Sequence, residues 1–151
     1  MKILLAVDGS ANSDAAVEEI MKRPWPAGTE VKVITAAEMP VMVGFEPWAA
    51  SPDYFEQIQK GMRLAAQDVI SRAMAKLNTV EDKTLKISTE IIEGSPRQVI
   101  VDEAENWHAD LIMMGSRGLG AWNRVLLGSV SSGVVHHAPC SVEIVRLPAA
   151  R

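Results

Sequence analysis

Glycine and serine residues between Gly115 and Ser129 have a spacing suited to binding phosphate. Gly115 ends a short apolar run, Gly118 follows three residues later, and Gly128-Ser129 precedes a segment typical of a helix. Glycine lets a ligand approach the main chain and accepts positive φ. The N–H groups and dipole at a helix start also favour an anion. We therefore expect a strand, a glycine turn, a loop and a second glycine turn that together bind phosphate.

Polar and cationic side chains accompany these turns. Ser129 is expected either to cap the helix that follows or to donate its hydroxyl to a phosphate. Arg117 and Arg124 add positive charge beside the turns. Each glycine taken alone also fits an ordinary turn or helix end. The phosphate-binding prediction therefore depends on the complete set and on its position between a strand end and a helix start.

Two better-known phosphate motifs do not fit this segment. The P-loop needs a lysine directly after its last glycine, whereas Gly128 is followed by Ser129. A dinucleotide-binding turn needs a third glycine after Gly118-Leu-Gly120, at the position where Asn123 stands. The spacing therefore indicates a phosphate site of a different type.

The composition of the 151-residue chain is that of an ordinary globular protein, and the length fits one domain with a sizeable core. A net charge of −4 argues against a nucleic-acid partner, but it leaves room for a small anion at a locally positive site. The apolar run 3–7 is too short for a signal sequence or a membrane span, and the single cysteine excludes an internal disulfide. We expect a cytoplasmic protein without a membrane partner.

Strand-like and helix-like segments alternate along the chain. The predicted strands are 3–7, 30–37, 85–92, 110–114 and 141–147. The predicted helices follow the polar turn 8–14, begin at Ser51-Pro52, follow Ser95-Pro96 and span 130–137. Such alternation predicts an α/β fold with a mainly parallel five-stranded sheet, in which ligands bind at the carboxyl ends of the strands.

Three local patterns concern the segments between the strands. Residues 38–51 form an apolar loop, predicted to be either a flap over the sheet edge or a lid or partner surface beside a ligand. Ser95-Pro-Arg-Gln98 is a predicted capping box. The long helix after Pro52 has apolar residues at spacings of three and four, namely Phe55, Ile58, Met62, Ala65, Val69, Ala73 and Leu77.

The histidine and cysteine residues near the carboxyl end of the chain fit structural roles better than they fit a metal site or a nucleophile. His136 and His137 are adjacent, so they cannot share one helix face as metal ligands four residues apart do. We predict instead that they bind carbonyl groups near a helix end, and that Cys140 is a partly buried core residue. The chain has no G-x-S-x-G and no H-E-x-x-H sequence, and no catalytic or metal-binding residue is assigned.

The chain resembles the universal stress protein family, in its ATP-binding branch, over essentially its whole length. The resemblance rests on Gly115-Ser-Arg-Gly118 with Gly128-Ser-Val130, on Val7-Asp-Gly-Ser10, and on His136-His-Ala-Pro-Cys140. It implies one Rossmann-like domain over residues 1–151, with strand order 3-2-1-4-5 and helices on both faces of the sheet. It also implies ATP with Mg²⁺ or Mn²⁺ as ligand, and a homodimer paired through the last strand.

The resemblance also assigns roles to individual residues. Asp8 is expected to bind a ribose hydroxyl or to join a metal shell, although it also fits a plain turn-former. The main chain of Ala36 is expected to contact the adenine. The residues expected at the phosphates are Gly115, Arg117, Gly118, Gly128, Ser129, Val130 and Ser131.

Three functions are compatible with these residues. The first is an ATP-binding regulatory module of stress physiology that acts as a homodimer. The second is an adenylate-forming or phosphoryl-transfer enzyme; no general base is evident for it, so at most slow ATP hydrolysis is expected. The third is an interaction module that binds no nucleotide, against which the intact glycine motif argues.

The last predicted strand, 141–147, is expected at a sheet edge, where an unpaired strand invites a partner. It departs from the family pattern at two positions. The usual proline after Cys140 is Ser141, and a usually apolar position is Glu143. Placed near a twofold axis, Glu143 is expected to face its own copy and to weaken the pair unless it is solvated. A homodimer is still the prediction.

Overall fold

The computed structural model describes residues 1–39, 52–79, 85–118 and 127–147. The predicted loop 38–51 lies outside these residues from position 40 onward, as does Arg124. The elements are β1 Lys2–Ala6, α1 Ala11–Lys22, β2 Glu30–Ala37, α2 Pro52–Leu77, β3 Lys86–Glu93, α3 Pro96–Asn106, β4 Leu111–Gly115, α4 Ser129–His137 and β5 Ser141–Val145. The predicted strands and helices are confirmed, with small shifts at their ends.

The five strands form one sheet in the order β3-β2-β1-β4-β5, and every neighbouring pair is parallel. Both the order and the parallel direction were predicted and are confirmed. The chain runs outward from β1 to β2 and β3 on one side, and continues with β4 and β5 on the other. The strand order therefore reverses between β1 and β4, whose carboxyl ends flank a crevice where this type of sheet binds ligands.

The apolar run of β1 lies at the centre of the molecule, with Ile3, Leu4 and Leu5 completely buried. Ile3 and Leu5 belong to a hydrophobic cluster that includes α1 and α2, whereas Leu4 and Ala6 belong to a second cluster with α3 and α4. Side chains alternate between the two faces of a strand, so a strand covered on both faces must be apolar at every position.

Each of the two helices on the first face differs from the sequence prediction at one point. α1 starts inside the predicted polar turn, because the hydroxyl of Ser10 accepts a hydrogen bond from the N–H of Ser13 at 3.2 Å and caps the helix. In α2, Ala65 is exposed and Ala66 is buried instead. Among the helices that the structure describes, none is long and apolar enough to cross a membrane.

The predicted capping box at the start of α3 is wrong. Ser95 is the N-cap residue, but its side chain makes no capping hydrogen bond. The side chain of Gln98, which would have to reach back to Ser95, instead donates to Asp102 at 2.7 Å one turn further along. Helix start and proline position are still as predicted, since Pro96 is the first helical residue.

The end of α3 contains a strained residue. His108 has φ of 55°, and its N–H donates to the carbonyl of Glu105 at 3.1 Å. The N–H of Ala109 donates to the carbonyl of Ala104 at 2.9 Å. These two bonds form a Schellman motif, in which the residue after the helix adopts the left-handed conformation and is usually glycine.

Replacing His108 with glycine is expected to stabilise the protein by about 0.5–1 kcal/mol, because glycine lacks the Cβ that makes this conformation costly. Urea unfolding of the variant and of wild type measures the difference in the free energy of unfolding. The same replacement at His136, inside α4, is expected to destabilise by about 0.3–0.5 kcal/mol because glycine is a poorer helix former than histidine. An unchanged or lower stability of His108→Gly would contradict this explanation of the strain.

Candidate functional site

A cavity of about 460 Å³ opens at the carboxyl ends of β1, β2 and β4. All nine residues that the sequence indicated for ligand binding line it: Asp8, Ala36, Gly115, Arg117, Gly118, Gly128, Ser129, Val130 and Ser131. These residues come from four separate parts of the chain, so their convergence is a property of the fold. The cavity is the crevice at which the strand order reverses.

The two glycine turns are joined through one carbonyl group. The carbonyl of Ser116 accepts hydrogen bonds from the N–H of Gly128 and from the hydroxyl of Ser131, both at 2.8 Å. Ser131 is only 2% exposed. Its hydroxyl therefore fixes the start of α4 against the end of β4, which leaves mainly the N–H of Ser131 for a ligand.

The N-terminus of α4 faces the cavity without an acidic side chain in its first turn. Gly128 is the N-cap residue and Ser129 is the first helical residue, so the prediction of Ser129 as the cap is wrong. Gly128 adopts the extended conformation that a cap needs, and its carbonyl accepts the first helical bond, from Ser132 at 2.9 Å. The first N–H groups of a helix have no partner within it, and here they belong to Ser129, Val130 and Ser131.

The main chain at position 118 lies very close to a carboxylate. A Cβ atom on Gly118 would lie 2.5 Å from Oδ2 of Asp8. The expected positive φ in the phosphate turns is wrong: Gly115, Gly118 and Gly128 all lack it, whereas Gly9 has φ of 78°. The first glycine turn therefore brings the main chain directly against the carboxylate at the end of β1.

Asp8 has a structural role in addition to its position in the cavity. Its Oδ1 accepts a hydrogen bond from the N–H of Ser10 at 3.0 Å, which fixes the turn between β1 and α1. The hydroxyl of Ser10 in turn donates to the carbonyl of Arg117 at 3.2 Å. The turn-former interpretation of Asp8 is confirmed, and its second carboxylate oxygen is directed toward Gly118.

Gly115 packs closely against the main chain of α1. A Cβ atom there would lie 2.6 Å from the main-chain carbon of Asn12 and 2.7 Å from the nitrogen of Ser13. Both atoms belong to the first turn of α1, which packs directly on the end of β4. The absence of a side chain at Gly115 thus sets the distance between α1 and the sheet.

The other end of the cavity is apolar. Ile34 and Ala36 of β2 line it together with Met114 of β4 and with Pro96 and Ile100 of α3. Sequence reasoning missed the contribution of α3. A usable signal was present, because α3 begins directly after a parallel strand, and such helix starts lie at the same edge of the sheet as the phosphate turns.

The remaining candidates have structural roles. His136 Nδ1 lies 2.7 Å from the carbonyl oxygen of Ser132, and His137 Nδ1 lies 2.8 Å from that of Gly133, which confirms the interpretation that they bind carbonyl groups. Cys140 is partly buried, and this burial raises the pKa of its thiol. Within the described parts of the chain, no group of three or more acidic, histidine or cysteine side chains is arranged to hold a metal ion.

A parallel sheet of this order, with a cavity at its reversal point, defines the class of Rossmann-like α/β proteins. The sequence model of the universal stress protein family matches residues 1–146. The chain belongs to this family. A universal stress protein encoded beside a QAH/OAS sulfhydrylase gene of Thermus aquaticus is 36% identical over 145 residues, which cover 95% of this chain and 97% of that protein.

Solved structures have the same fold. The universal stress protein UspA from Lactobacillus plantarum superposes with a TM-score of 0.77 and 26% identity, over 97% of both chains. A universal stress family protein from Arabidopsis thaliana, solved with AMP bound, has a TM-score of 0.68 and 20% identity, over 99% of this chain and 93% of that one. The second likeness establishes the fold alone.

Proposed function

We propose that this protein binds ATP, together with Mg²⁺ or Mn²⁺, and acts as a cytoplasmic regulatory module of the stress response. One observation carries the proposal. Two glycine turns, the N-terminus of α4 and the carboxylate of Asp8 converge on one cavity with an apolar end. Such a cavity can bind the charged part of a ligand with its polar groups and the apolar part of the same ligand with its apolar side chains.

The charged part of the nucleotide fits the end of the cavity formed by the glycine turns. The N–H groups of Ser129 and Val130 are available to phosphate oxygens, and the helix dipole adds a favourable potential. Gly118 has no side chain of its own to cover the main chain, although Oδ2 of Asp8 lies beside it. Arg117 lines the same end of the cavity and supplies positive charge.

A divalent ion fits beside Asp8. The first carboxylate oxygen of Asp8 holds the turn to Ser10, and the second is directed toward Gly118. Mg²⁺ is commonly held by one or two carboxylates together with substrate phosphates and water, so one carboxylate at the phosphate end suffices. The ion would neutralise the phosphate charge that otherwise repels Asp8.

The adenine fits the apolar end. Ile34, Ile100 and Met114 provide apolar walls, and the main chain of Ala36 supplies hydrogen-bonding groups at the end of β2. The Arabidopsis protein of the same fold carries AMP, which supports an adenine nucleotide as the class of ligand.

Mass spectrometry of the small molecules released on denaturing the purified protein tests whether an adenine nucleotide is bound. We expect ATP or its adenine products, and the absence of any bound nucleotide together with no binding at millimolar ATP would leave an interaction module instead.

ATP hydrolysis by the isolated protein is expected to be slow, with a steady-state kcat well below about 1 s⁻¹. Phosphoryl transfer needs positioned charge and an oriented nucleophile. The glycine motif has no P-loop lysine, and no general base for water was identified from the sequence. A coupled phosphate-release assay measures the rate. Turnover within the ordinary enzyme range, with or without a cosubstrate, would contradict a purely regulatory role.

A homodimer paired through β5 is part of the same proposal. β5 lies at one edge of the sheet, next to β4 alone. The carbonyl of Val145 accepts a hydrogen bond from Ser116 at 2.8 Å and so faces β4. Main-chain groups alternate along a strand, so those of Val142 and Ile144 face the open edge, where a second chain can pair with them.

Replacing Val142 with proline is expected to convert the dimer to monomer. Proline removes an N–H that faces outward, so the hydrogen bonds between β4 and β5 are kept while the bond to the partner strand is lost. Light scattering at high micromolar concentration checks the mass. A wild-type monomer, or a folded Val142→Pro variant that still dimerises, would show that β5 is not the contact.

A further inference from the structure

An arginine from α1 holds the acidic side chain at the centre of β5. Nη1 of Arg23 donates to Oε2 of Glu143 at 2.7 Å, and Nη2 donates to Oε1, so that the two side chains form a bidentate pair. Glu143 is the third of the five residues in Ser141–Val145. The pair joins residues that are 120 positions apart and lies at the open edge of the sheet.

Arg23 is held in this position from three sides. It is the C-cap residue of α1, and its Nε donates to Oε1 of Glu19 at 2.7 Å. Its guanidinium also lies 5.9 Å from the centre of the Trp25 ring. With two carboxylates and an aromatic ring around it, the guanidinium is fixed before any partner arrives.

The register of a symmetric pair follows from the strand itself. In an antiparallel pair around a twofold axis, outward-facing residues must oppose outward-facing residues. Val142 then pairs with Ile144 of the second copy. In this register all five residues of each strand lie opposite the partner strand. This register places Glu143 on the axis, opposite its own copy, in a pair without main-chain hydrogen bonds, where side chains are closest.

Two carboxylates directly opposite each other destabilise an antiparallel pair. We propose that Arg23 is the residue that allows β5 to pair with a second copy of this chain, because its positive charge offsets the negative charge of Glu143 on the twofold axis. This inference rests on the proposed homodimer. The surface then consists of outward main-chain groups at Val142 and Ile144, flanked by one Arg23–Glu143 pair from each copy, in which Arg23 also binds Glu19.

A cycle of charge-removing variants tests this role. Sedimentation equilibrium at low ionic strength measures the dimer dissociation constant of wild type, Arg23→Gln, Glu143→Gln and the double variant. Arg23→Gln leaves the opposed carboxylates without their cation and is expected to raise the constant up to about fivefold. Glu143→Gln alone is expected to change it little, and the double variant is expected to return close to wild type.

The rescue distinguishes charge neutralisation from a simple loss of contact. If the double variant dimerises as weakly as Arg23→Gln, or if Arg23→Gln dimerises as tightly as wild type, the proposed role of Arg23 is wrong, although the protein is still a dimer. If folded wild type is monomeric, the homodimer and the inference both fall. Circular dichroism confirms folding of each variant.

Cysteine cross-linking tests the register. In a Cys140→Ala background, Glu143→Cys is expected to form a disulfide-linked dimer on oxidation, because opposed residues in such a pair lie about 4.5 Å apart between Cα atoms. The matched Ser141→Cys variant is expected not to cross-link, since the two copies of residue 141 are separated by about 14 Å along the strands. Cross-linking at Ser141→Cys without cross-linking at Glu143→Cys would place the axis elsewhere.

Discussion

Replacing Gly118 with valine is expected to lower the affinity for Mg-ATP at least tenfold, which corresponds to about 1.4 kcal/mol. A Cβ atom at this position would lie 2.5 Å from Oδ2 of Asp8, so the carboxylate or the turn must move. The branched side chain also occupies the space through which a phosphate approaches the main chain. Each charge-assisted hydrogen bond lost is worth about 1.5–3 kcal/mol, so the loss of one is sufficient.

Calorimetric titration of matched variants separates this effect from a general effect of removing glycine. Among the described residues, no atom from outside the neighbouring turns of α2 lies within 4 Å of the Cβ position of Gly61, so Gly61→Ala is expected to bind as wild type while Gly118→Ala already weakens binding. Ser129→Ala is expected to cost less than Gly118→Val, because it removes a hydroxyl and keeps the main-chain N–H groups. A folded Gly118→Val variant with wild-type affinity would show that phosphate does not bind at this turn.

Replacing Gly115 with alanine is expected to destabilise the fold by about 1–3 kcal/mol. The added Cβ would lie 2.6 Å and 2.7 Å from main-chain atoms of Asn12 and Ser13, and a main chain within a helix cannot rotate away as a side chain can. The whole first turn of α1 must therefore move away from β4, which opens the floor of the cavity.

Urea unfolding of Gly115→Ala and Gly61→Ala provides the comparison. Alanine at Gly61 is expected to stabilise by about 0.5–1 kcal/mol, because glycine is unfavourable within a helix. The same replacement is thus expected to lower the free energy of unfolding at Gly115 and to raise it at Gly61. Equal stabilities of the two variants would show that α1 is free to move, and that the contact at Gly115 does not define the cavity.

The fold was predictable because local signals agree with one another. Continuous apolar runs such as 3–7 predict strands buried on both faces, and proline or glycine between them marks the turns. The order of the strands came from the family resemblance. The ends of the helices were less predictable. Ser10 caps α1 through its side-chain contact with Ser13, but several nearby polar residues could cap a helix equally well.

Contacts between distant parts of the chain were not predictable in the same way. The sequence identified Glu143 as an unfavourable charge on an edge strand, but its partner Arg23 is 120 positions away and becomes adjacent only when α1 packs beside β5. Likewise, a glycine pattern shows where the main chain is open but not why. At Gly118 the reason is the neighbouring carboxylate of Asp8, and the backbone conformation there is one that other residues also adopt.

Titration of ¹⁵N-labelled protein with Mg-ATP, followed by NMR of the main-chain amides, tests whether nucleotide phosphates bind at the two glycine turns. Hydrogen bonding to phosphate shifts the resonance of the N–H that donates. We predict saturable changes that are largest at Gly118, Gly128, Ser129 and Val130, with smaller changes at Ala36 beside the base. The absence of any change at millimolar ATP, or saturable changes confined to residues outside this cavity, would contradict the account.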